Sequence, residues 1–291
     1  MKAVQIIDIS EDRFADANTI QQPAPMRMIN RDISLLEFFR NVLDEAFDAS
    51  TPVLERLKFV AISASNLDEF FMIRVASLKE KLGERDGVWP DGYSETELLS
   101  EIRRKTLDLN VAQSICLNRE IFPLLVENGI EIQGYSELTE GEKSFLGEYF
   151  DKSVAPILTP QAVDPTHPFP YISGGSLNIG VFVKPDLGKR VAKRLETFGD
   201  EFFVRVKVPS SLPRFIPIGD DETKFVFVED IIRSNLFKLA PGAAAEACHF
   251  FRITRDADID LREAEAHDML EMMEENLKDR RFGDVSRLEI S

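Results

Sequence analysis

Apolar positions recur at three- and four-residue steps in the first part of the chain, which is the spacing of one face of an α-helix. The first face of this kind contains Ile33, Leu36, Phe39, Leu43, Ala46 and Phe47. Ser34 and Glu37 have the spacing of a capping box, with Ile33 and Phe38 as its hydrophobic staple. The pattern therefore predicts a first helix that begins at Ser34.

Three further helical segments follow. Thr51 followed by Pro52 is typical of a helix N-terminus. A third helix is predicted to start at Asn66 and to run to about Leu82. A fourth is predicted between about Glu95 and Asn128, where Asn128-Gly129 supplies a C-terminal stop. Short connections favour antiparallel packing, so residues 27–129 are predicted to form an all-helical domain.

After Gly129 the apolar period changes from that of a helix to that of a strand. Thr139 and Glu142 predict a capped helix to about Phe150. Alternating segments then predict strands at 177–183, 203–208, 224–228, 250–254 and 285–290. An amphipathic helix is predicted at Leu261–Arg281. The expected fold class is thus α followed by α+β, with a mobile tail at 1–26 and an α+β domain at 130–291.

The segment Ser65–Phe71, SNLDEFF, allows two interpretations of Asn66. As an N-cap, its side-chain oxygen would accept a backbone N–H of the first turn, and Glu69 would reach back to it. Alternatively, an Asn amide presents one donor beside one acceptor and can pair with the N6/N7 edge of adenine. Local sequence alone favours the cap.

Several separated motifs resemble one family. From Ile29 to Leu82 the chain is similar to the N-terminal domain of polyphosphate kinases of the long, ATP-dependent, histidine-phosphorylating type. The resemblance continues through ILTPQAVDPTHPFPYISGGSLN (157–178), VKVPSSLPRF (207–215), FRITRDADID (251–260) and RRFGDVSRLEI (280–290). It covers essentially everything after residue 26.

This resemblance implies an enzyme that passes the γ-phosphoryl of ATP through a phosphohistidine to polyphosphate. It implies an adenine contact at Asn66 and a head domain, the α+β domain, that takes part in a homo-oligomer, either dimer or tetramer. It also implies Mg²⁺ bound with ATP. The acceptor histidine and the Mg²⁺ ligands are expected in catalytic domains beyond Ser291, so the chain alone is expected to be inactive, with its head domain incomplete at the C-terminus. The alternative is a non-catalytic dimerisation or interaction module.

Composition changes the picture of partners and location. The 51 acidic and 35 basic residues give a net charge of −16, which argues against a general nucleic-acid-binding surface. The same charge argues against a surface that binds anionic membranes, and a peripheral association with membranes stays an expectation. No apolar run spans a membrane, and Asp8, Glu11 and Asp12 interrupt any signal-peptide core. Cys116 and Cys248 have no disulfide or zinc spacing, so a cytoplasmic protein is expected.

The remaining candidate residues are explained more simply by structure. GEKS at 141–144 does not have the spacing of a phosphate-binding loop. His167 is predicted to lie in a rigid turn, His249 on a strand and His267 on a helix, so none is assigned a catalytic role. Asp68 and Glu69 could pair on Mg²⁺, but acidic residues in a first helical turn are explained by the helix dipole, and no metal ligand is assigned.

The last two expectations concern strand ends. Charges in FRITRDADID, namely Arg252, Arg255, Asp256 and Asp258, are expected to be solvated rather than to form an ion-pair network. Leu288–Ile290 is predicted to be an uncovered edge strand. An edge strand exposes unpaired backbone groups and would favour self-association.

Overall fold

A computed structural model describes residues 5–7, 29–82, 89, 91–163, 169–183, 202–219, 221–239, 248–257 and 283–291. The predicted helix Leu261–Arg281, most of the predicted tail, His167 and His267 lie outside these residues. Contacts divide the chain into two compact units. The helical unit comprises Met1–Pro123, Ser173–Gly175 and Ile253–Glu289, and the sheet unit comprises Leu124–Ile172, Ser176–Arg252 and Ile290–Ser291. The predicted α+β domain at 130–291 includes 253–289, whereas the contacts group this segment with the helices.

The elements of the first 127 residues are β1 (Gln5–Ile7), α1 (Arg31–Asp44), α2 (Val53–Phe70), α3 (Ala76–Glu80), α4 (Glu95–Ile115) and α5 (Phe122–Glu127). Two π-helical turns, Phe71–Val75 and Cys116–Ile121, connect α2 to α3 and α4 to α5. The long predicted helix from about Glu95 to Asn128 is therefore confirmed. It ends where Gly129 adopts a positive φ of 79°, a conformation that glycine tolerates well.

The first helix begins earlier than predicted. Asn30 is its N-cap, because its side-chain oxygen accepts hydrogen bonds from the backbone N–H of Asp32 at 2.9 Å and of Ile33 at 3.0 Å. The N–H of Ser34 already donates to the Asn30 carbonyl, at 3.0 Å. Ser34 thus lies inside the first turn, and the predicted capping box of Ser34 and Glu37 is wrong.

The predicted second and third helices are one continuous segment. Helix α2 passes through Asn66 without a break, so the prediction that Asn66 caps a helix is wrong. Its buried residues Val60, Ser63, Leu67 and Phe70 keep three- and four-residue spacing through this point, and an interruption would expose one end of that face. The Ser63 hydroxyl donates to the Phe39 carbonyl at 3.3 Å, and the Phe39 and Phe70 rings pack edge to face.

The second half of the chain contains the predicted strands. They are β2 (Glu131–Ile132), β3 (Gln161–Val163), β4 (Asn178–Val183), β5 (Phe202–Lys207), β6 (Phe215–Ile218), β7 (Asp221–Phe227), β8 (Cys248–Arg255) and β9 (Val285–Ile290). The helices are α6 (Glu140–Tyr149), α7 (Val228–Ser234) and α8 (Leu236–Leu239). The capping box of Thr139 and Glu142 is confirmed at the start of α6. The short strands β2, β3 and β6 were not predicted.

Hydrogen-bonded neighbours order the larger, six-stranded sheet as β1-β9-β8-β4-β5-β3, and β2-β7-β6 form a second sheet. Strands β4 and β5 are antiparallel, with Gly180 opposite Arg205, and β3 pairs with the other side of β5, with Gln161 opposite Arg205. Strand β9 lies between β1 and β8, so the prediction of an uncovered edge strand at Leu288–Ile290 is wrong. The reason is that the N-terminal segment supplies the missing neighbour.

The core of the sheet unit lies on one face of β4 and β5. Ile179, Val181, Val204 and Val206 are buried there. They belong to one cluster with Phe150, which follows α6, and with Ile231 and Ile232 of α7. The opposite face is aromatic: Phe203 packs against Phe169, Phe182 and Phe251 with ring centroids 5.4–6.4 Å apart.

We expect Gly180→Ala to destabilise the sheet unit by about 1–3 kcal/mol, the usual cost of overpacking. A Cβ at position 180 would lie 2.8 Å from one Phe203 ring carbon and 3.2 Å from one of Phe251. The rings cannot yield freely because they pack on each other. Gly147→Ala is the matched control: nothing lies within 4 Å of its Cβ position inside α6, so a gain of about 0.5–1 kcal/mol is expected. Urea unfolding measures both, and equal midpoints would contradict the expectation.

Candidate functional site

Asn66 lies in the interior of α2, on its solvent side. Its side chain is partly exposed, and no hydrogen bond among the described residues uses its amide group. Ile62 precedes it by one turn and Glu69 follows by one turn, so these side chains share one helix face. Asn has a poor propensity for helix interiors. With the cap excluded, the backbone of α2 provides no reason for an amide at this position.

One apolar side chain lies one helical turn before this amide: Ile62, which is 47% exposed. The resulting surface has an amide donor and acceptor next to an aliphatic group, with the Glu69 carboxylate on the other side along the helix. Such a surface can contact the flat face of a planar heterocycle and pair with its polar edge.

The other side of α2 is held by β9. Arg287 is only 3% exposed in its side chain and pairs with Asp68 at 3.2 Å and with Glu289 at 2.8 Å. Its guanidinium also lies over the Phe71 ring, 4.8 Å from the centroid. The Lys79 amine donates to the Ser286 carbonyl at 3.0 Å. These contacts fix the rotation of α2 about its axis, and therefore the direction in which Asn66 faces.

The N-terminal end of α1 adds two further restraints. Arg74 of the π-helical turn pairs with the buried Asp32 at 2.8 Å. The Asn30 amide donates to Asp91 at 2.6 Å while its oxygen caps α1. The π-helical turn also leaves the Met72 carbonyl available to accept the Ala257 N–H, at 3.0 Å. Single π turns occur frequently at functional sites.

The other predicted candidates are not brought to this surface. The Asp68 carboxylate contacts Arg287, whereas Glu69 is exposed on a different side of the helix. His249 lies on β8 in the sheet unit, and its Nδ1 is 3.2 Å from the Ser291 carbonyl oxygen. GEKS lies in α6, where Lys143 pairs with Glu140. Burial raises the pKa of the Cys116 thiol, which disfavours the nucleophilic thiolate.

The segment FRITRDADID makes local hydrogen bonds. The Arg255 side chain donates to the Gly283 carbonyl at 2.7 Å, and the backbone N–H of Asp256 donates to the Asp284 carbonyl at 2.8 Å. Asp258 and His267 are not among the described residues. No group of three metal-ligating side chains occurs within the ranges that the structure describes, and no helix there is long and apolar enough to cross a membrane.

Sequence reasoning missed two buried arginines, Arg287 and Arg205. Both alternate with apolar residues on predicted strands, in SRLEI and FVRVK. A charged residue within an alternating segment is compatible with a solvated face, so the sequence carried no sign that these two would be buried. Only the strand pairing places Arg205 beside Asn178 and Gln161.

Comparisons with known proteins identify relatives over the whole of this architecture. A family model described as polyphosphate kinase N-terminal domain matches residues 28–133, and one described as polyphosphate kinase middle domain matches residues 141–291.

Individual relatives carry the same name. A polyphosphate kinase of Synechocystis is 41% identical over 288 residues, which is 94% of this chain and 38% of that protein. One from Thermosynechococcus vestitus is 42% identical, over 91% of this chain and 36% of that protein. The crystal structure of polyphosphate kinase from Porphyromonas gingivalis superposes with a TM-score of 0.66 at 25% identity, over 87% of this chain and 38% of that one. The chain thus spans less than two fifths of the relatives that it matches.

Proposed function

The chain belongs to the polyphosphate kinase family, and from that premise we propose that it supplies the adenine contact for a transfer of the γ-phosphoryl group from ATP to polyphosphate. Asn66 makes this contact through its amide. The phosphohistidine step belongs to the portion of the relatives that this chain does not span. The chain by itself is therefore inactive, and the complete protein acts in the cytoplasm, where it consumes ATP.

The observation that carries this proposal is the position of the Asn66 amide. It is accessible, it caps no helix, and its hydrogen-bonding groups are not used by the described residues. An amide can donate to N7 and accept from the N6 amine of adenine at the same time. Ile62, one turn before the amide, offers apolar contact to the base.

Mg²⁺ enters this proposal only as the companion of ATP. Asp68 is paired with Arg287, and no group of three metal-ligating side chains occurs among the described residues, so no residue of this chain is assigned to the ion. The ion would neutralise phosphate charge in the transfer. Its ligands are assigned to the portion of the family that lies outside these residues.

We expect adenosine to bind weakly to the 291-residue chain at Asn66. Saturation-transfer NMR suits weak ligands, and the adenine H2 and H8 protons should receive saturation from the wild-type chain. Asn66→Asp keeps the size of the side chain but replaces the amide donor with a carboxylate oxygen, so the signal should fall by roughly five- to tenfold, which corresponds to about 1–1.4 kcal/mol. Ser65→Ala is the control, since Ser65 is exposed one position away. Equal adenine signals in the wild type and Asn66→Asp would contradict the contact.

The second candidate function is a non-catalytic dimerisation or interaction module. It draws on exposed aromatic surface of the sheet unit, where Phe215 is 48% and Phe237 57% exposed. Exposed aromatic groups are typical of interface cores. Under this reading the homo-oligomer forms through the sheet unit without the catalytic portion. Sedimentation of the chain over a concentration series should show reversible association that Phe215→Ser weakens, and a monomer at every concentration would contradict it.

A further inference from the structure

Arg205 is a buried cation whose described partners are all neutral. It lies in the middle of β5 and is 4% exposed. Its Nε donates to Asn178 Oδ1 at 2.8 Å, and its Nη1 donates to Gln161 Oε1 at 2.6 Å and to the Tyr171 carbonyl at 3.2 Å. Burial lowers the pKa of this guanidinium. The positive charge is thus held in place without a counter-charge from the described residues.

The other buried arginines in the described part of the chain have carboxylate partners. Arg56 pairs with Glu120, and Arg287 pairs with both Asp68 and Glu289. A buried charge without a partner is unfavourable, and this chain has 51 acidic side chains against 35 basic ones. In a chain with this excess of acidic residues, a buried arginine without a carboxylate partner among the described residues is unexpected. A ligand with negative charge would remove the imbalance.

Two donor groups beside this charge are not used by any described hydrogen bond. They are Nη2 of Arg205 and the Nε2 amide nitrogen of Gln161. The 2.6 Å bond joins the guanidinium to the Gln161 amide group, so both donors belong to one hydrogen-bonded pair of side chains. Gln161 is exposed, and its strand β3 is at the end of the strand order. The donors can be reached from solvent at this edge.

On the strands that flank Arg205, no residue that shares its face is acidic. These positions of β3, β4 and β5 are Gln161, Val163, Asn178, Gly180, Phe182, Phe203, Arg205 and Lys207. Lys207 follows Arg205 by two residues on the same strand, about 7 Å away at the rise of a β-strand. A ligand with more than one negative group can therefore meet two cations in a row.

We propose that Arg205 and Gln161 form a binding subsite for a phosphate group at the β3 edge of the sheet unit. Arg205 Nη2 and Gln161 Nε2 donate to the phosphate oxygens, and Lys207 contacts the next phosphate of an oligophosphate. Guanidinium groups match the oxygen geometry of phosphate. The choice of phosphate over carboxylate rests on the proposed function, whereas the presence of an anion subsite rests on the contacts of Arg205 alone. The subsite requires no adenine.

The decisive variant is Gln161→Glu. It places a carboxylate where the neutral Oε1 now accepts from Arg205, so the protein supplies its own counter-charge. In calorimetric titrations at low salt, tripolyphosphate should bind the wild-type chain saturably, and Gln161→Glu should weaken this binding at least about tenfold. The melting temperature should stay the same or rise, because the buried guanidinium gains an ion pair. A loss of binding in a fold that is not destabilised cannot be ascribed to unfolding.

Ser210→Glu serves as the matched control, since it makes the same change of charge on an exposed turn of the same unit. Its tripolyphosphate affinity should change less than about threefold, the effect of a screened surface charge. The titrations use four ligands: orthophosphate, tripolyphosphate, ATP and adenosine. Orthophosphate should bind more weakly than tripolyphosphate, because it cannot reach Lys207 and Arg205 together.

The subsite is wrong if the wild-type chain does not bind tripolyphosphate, or if Gln161→Glu binds it as tightly as the wild type does. The four ligands also separate this inference from the adenine contact. ATP binding that responds to Asn66→Asp and not to Gln161→Glu would overturn the subsite and leave the adenine contact intact. Tripolyphosphate binding that is lost in Gln161→Glu, together with no adenosine signal, would support the subsite and overturn the adenine contact.

Discussion

Arg287→Met should destabilise the helical unit by about 3–5 kcal/mol, the usual cost of removing one partner from a buried ion pair. The guanidinium is 3% exposed and pairs with Asp68 and Glu289, so its loss removes the buried cation that both carboxylates contact. The contact with the face of the Phe71 ring is lost as well. Met fills much of the same space, so a cavity contributes little to this cost. The sole tryptophan, Trp89, lies in the helical unit, and its fluorescence during urea unfolding measures the change.

Arg104→Met is the control for this expectation. Arg104 on α4 also pairs with two carboxylates, Glu101 and Asp108, but its side chain is 57% exposed. Exposed pairs contribute about 0.2–1 kcal/mol each, so the loss of two such pairs should cost no more than about 2 kcal/mol. Similar unfolding midpoints for the two variants would show that the Arg287 cluster does not hold β9 against α2. The orientation of Asn66 would then need another explanation.

Local signals in the sequence predicted well those elements whose partners are close in the chain. Thr139 and Glu142 are three residues apart, and both capping hydrogen bonds form. The strands of the sheet unit follow the period-two segments to within a few residues. These features depend on short-range geometry, and the spacing of the residues contains most of that geometry.

Where a local signal failed, the tertiary environment decided. Ser34 and Glu37 have the spacing of a capping box, but Asn30 caps α1, and its amide also donates to the buried Asp91. Asn66 has the sequence surroundings of a cap, yet α2 continues through it because Leu67 and Phe70 extend the buried face. The sequence identifies Asn66 as a candidate contact residue. Only the continuous helix shows that Asn66 is not an N-cap.

The remaining features depend on residues far apart in the chain. Arg287 and Asp68 are separated by 219 positions, and Arg205 and Gln161 by 44. Strand order and register bring these groups together, and neither follows from local periodicity. The neighbours of β9 also depend on distant residues, because β1 comes from the other end of the chain. Charge pairing and burial of this kind are properties of the assembled fold.

In a catalytically complete protein that carries this chain, Asn66→Ala should lower kcat/KM for ATP by roughly 5- to 150-fold. This range corresponds to about 1–3 kcal/mol, the discrimination provided by a bidentate amide pair with adenine. The loss should appear mainly in KM, because the adenine is distant from the reacting phosphorus and is bound alike in the ground and transition states. Initial rates of polyphosphate synthesis over a range of ATP concentrations provide the measurement.

The stability of the same variants separates the adenine contact from a role in the fold. Asn66 caps no helix, and Ala has the higher helix propensity, so Asn66→Ala should melt at the wild-type temperature or slightly above it. Asn66→Asp should impair ATP use as Asn66→Ala does, because a carboxylate cannot donate to N7 of adenine. GTP serves as a control substrate. Guanine carries an oxygen where adenine has its N6 amine, so it cannot form the same pair with the Asn66 amide. Any use of GTP by the wild type should therefore be the same in both variants. A wild-type KM for ATP in Asn66→Asp would show that the amide does not contact the base, whatever Asn66→Ala does.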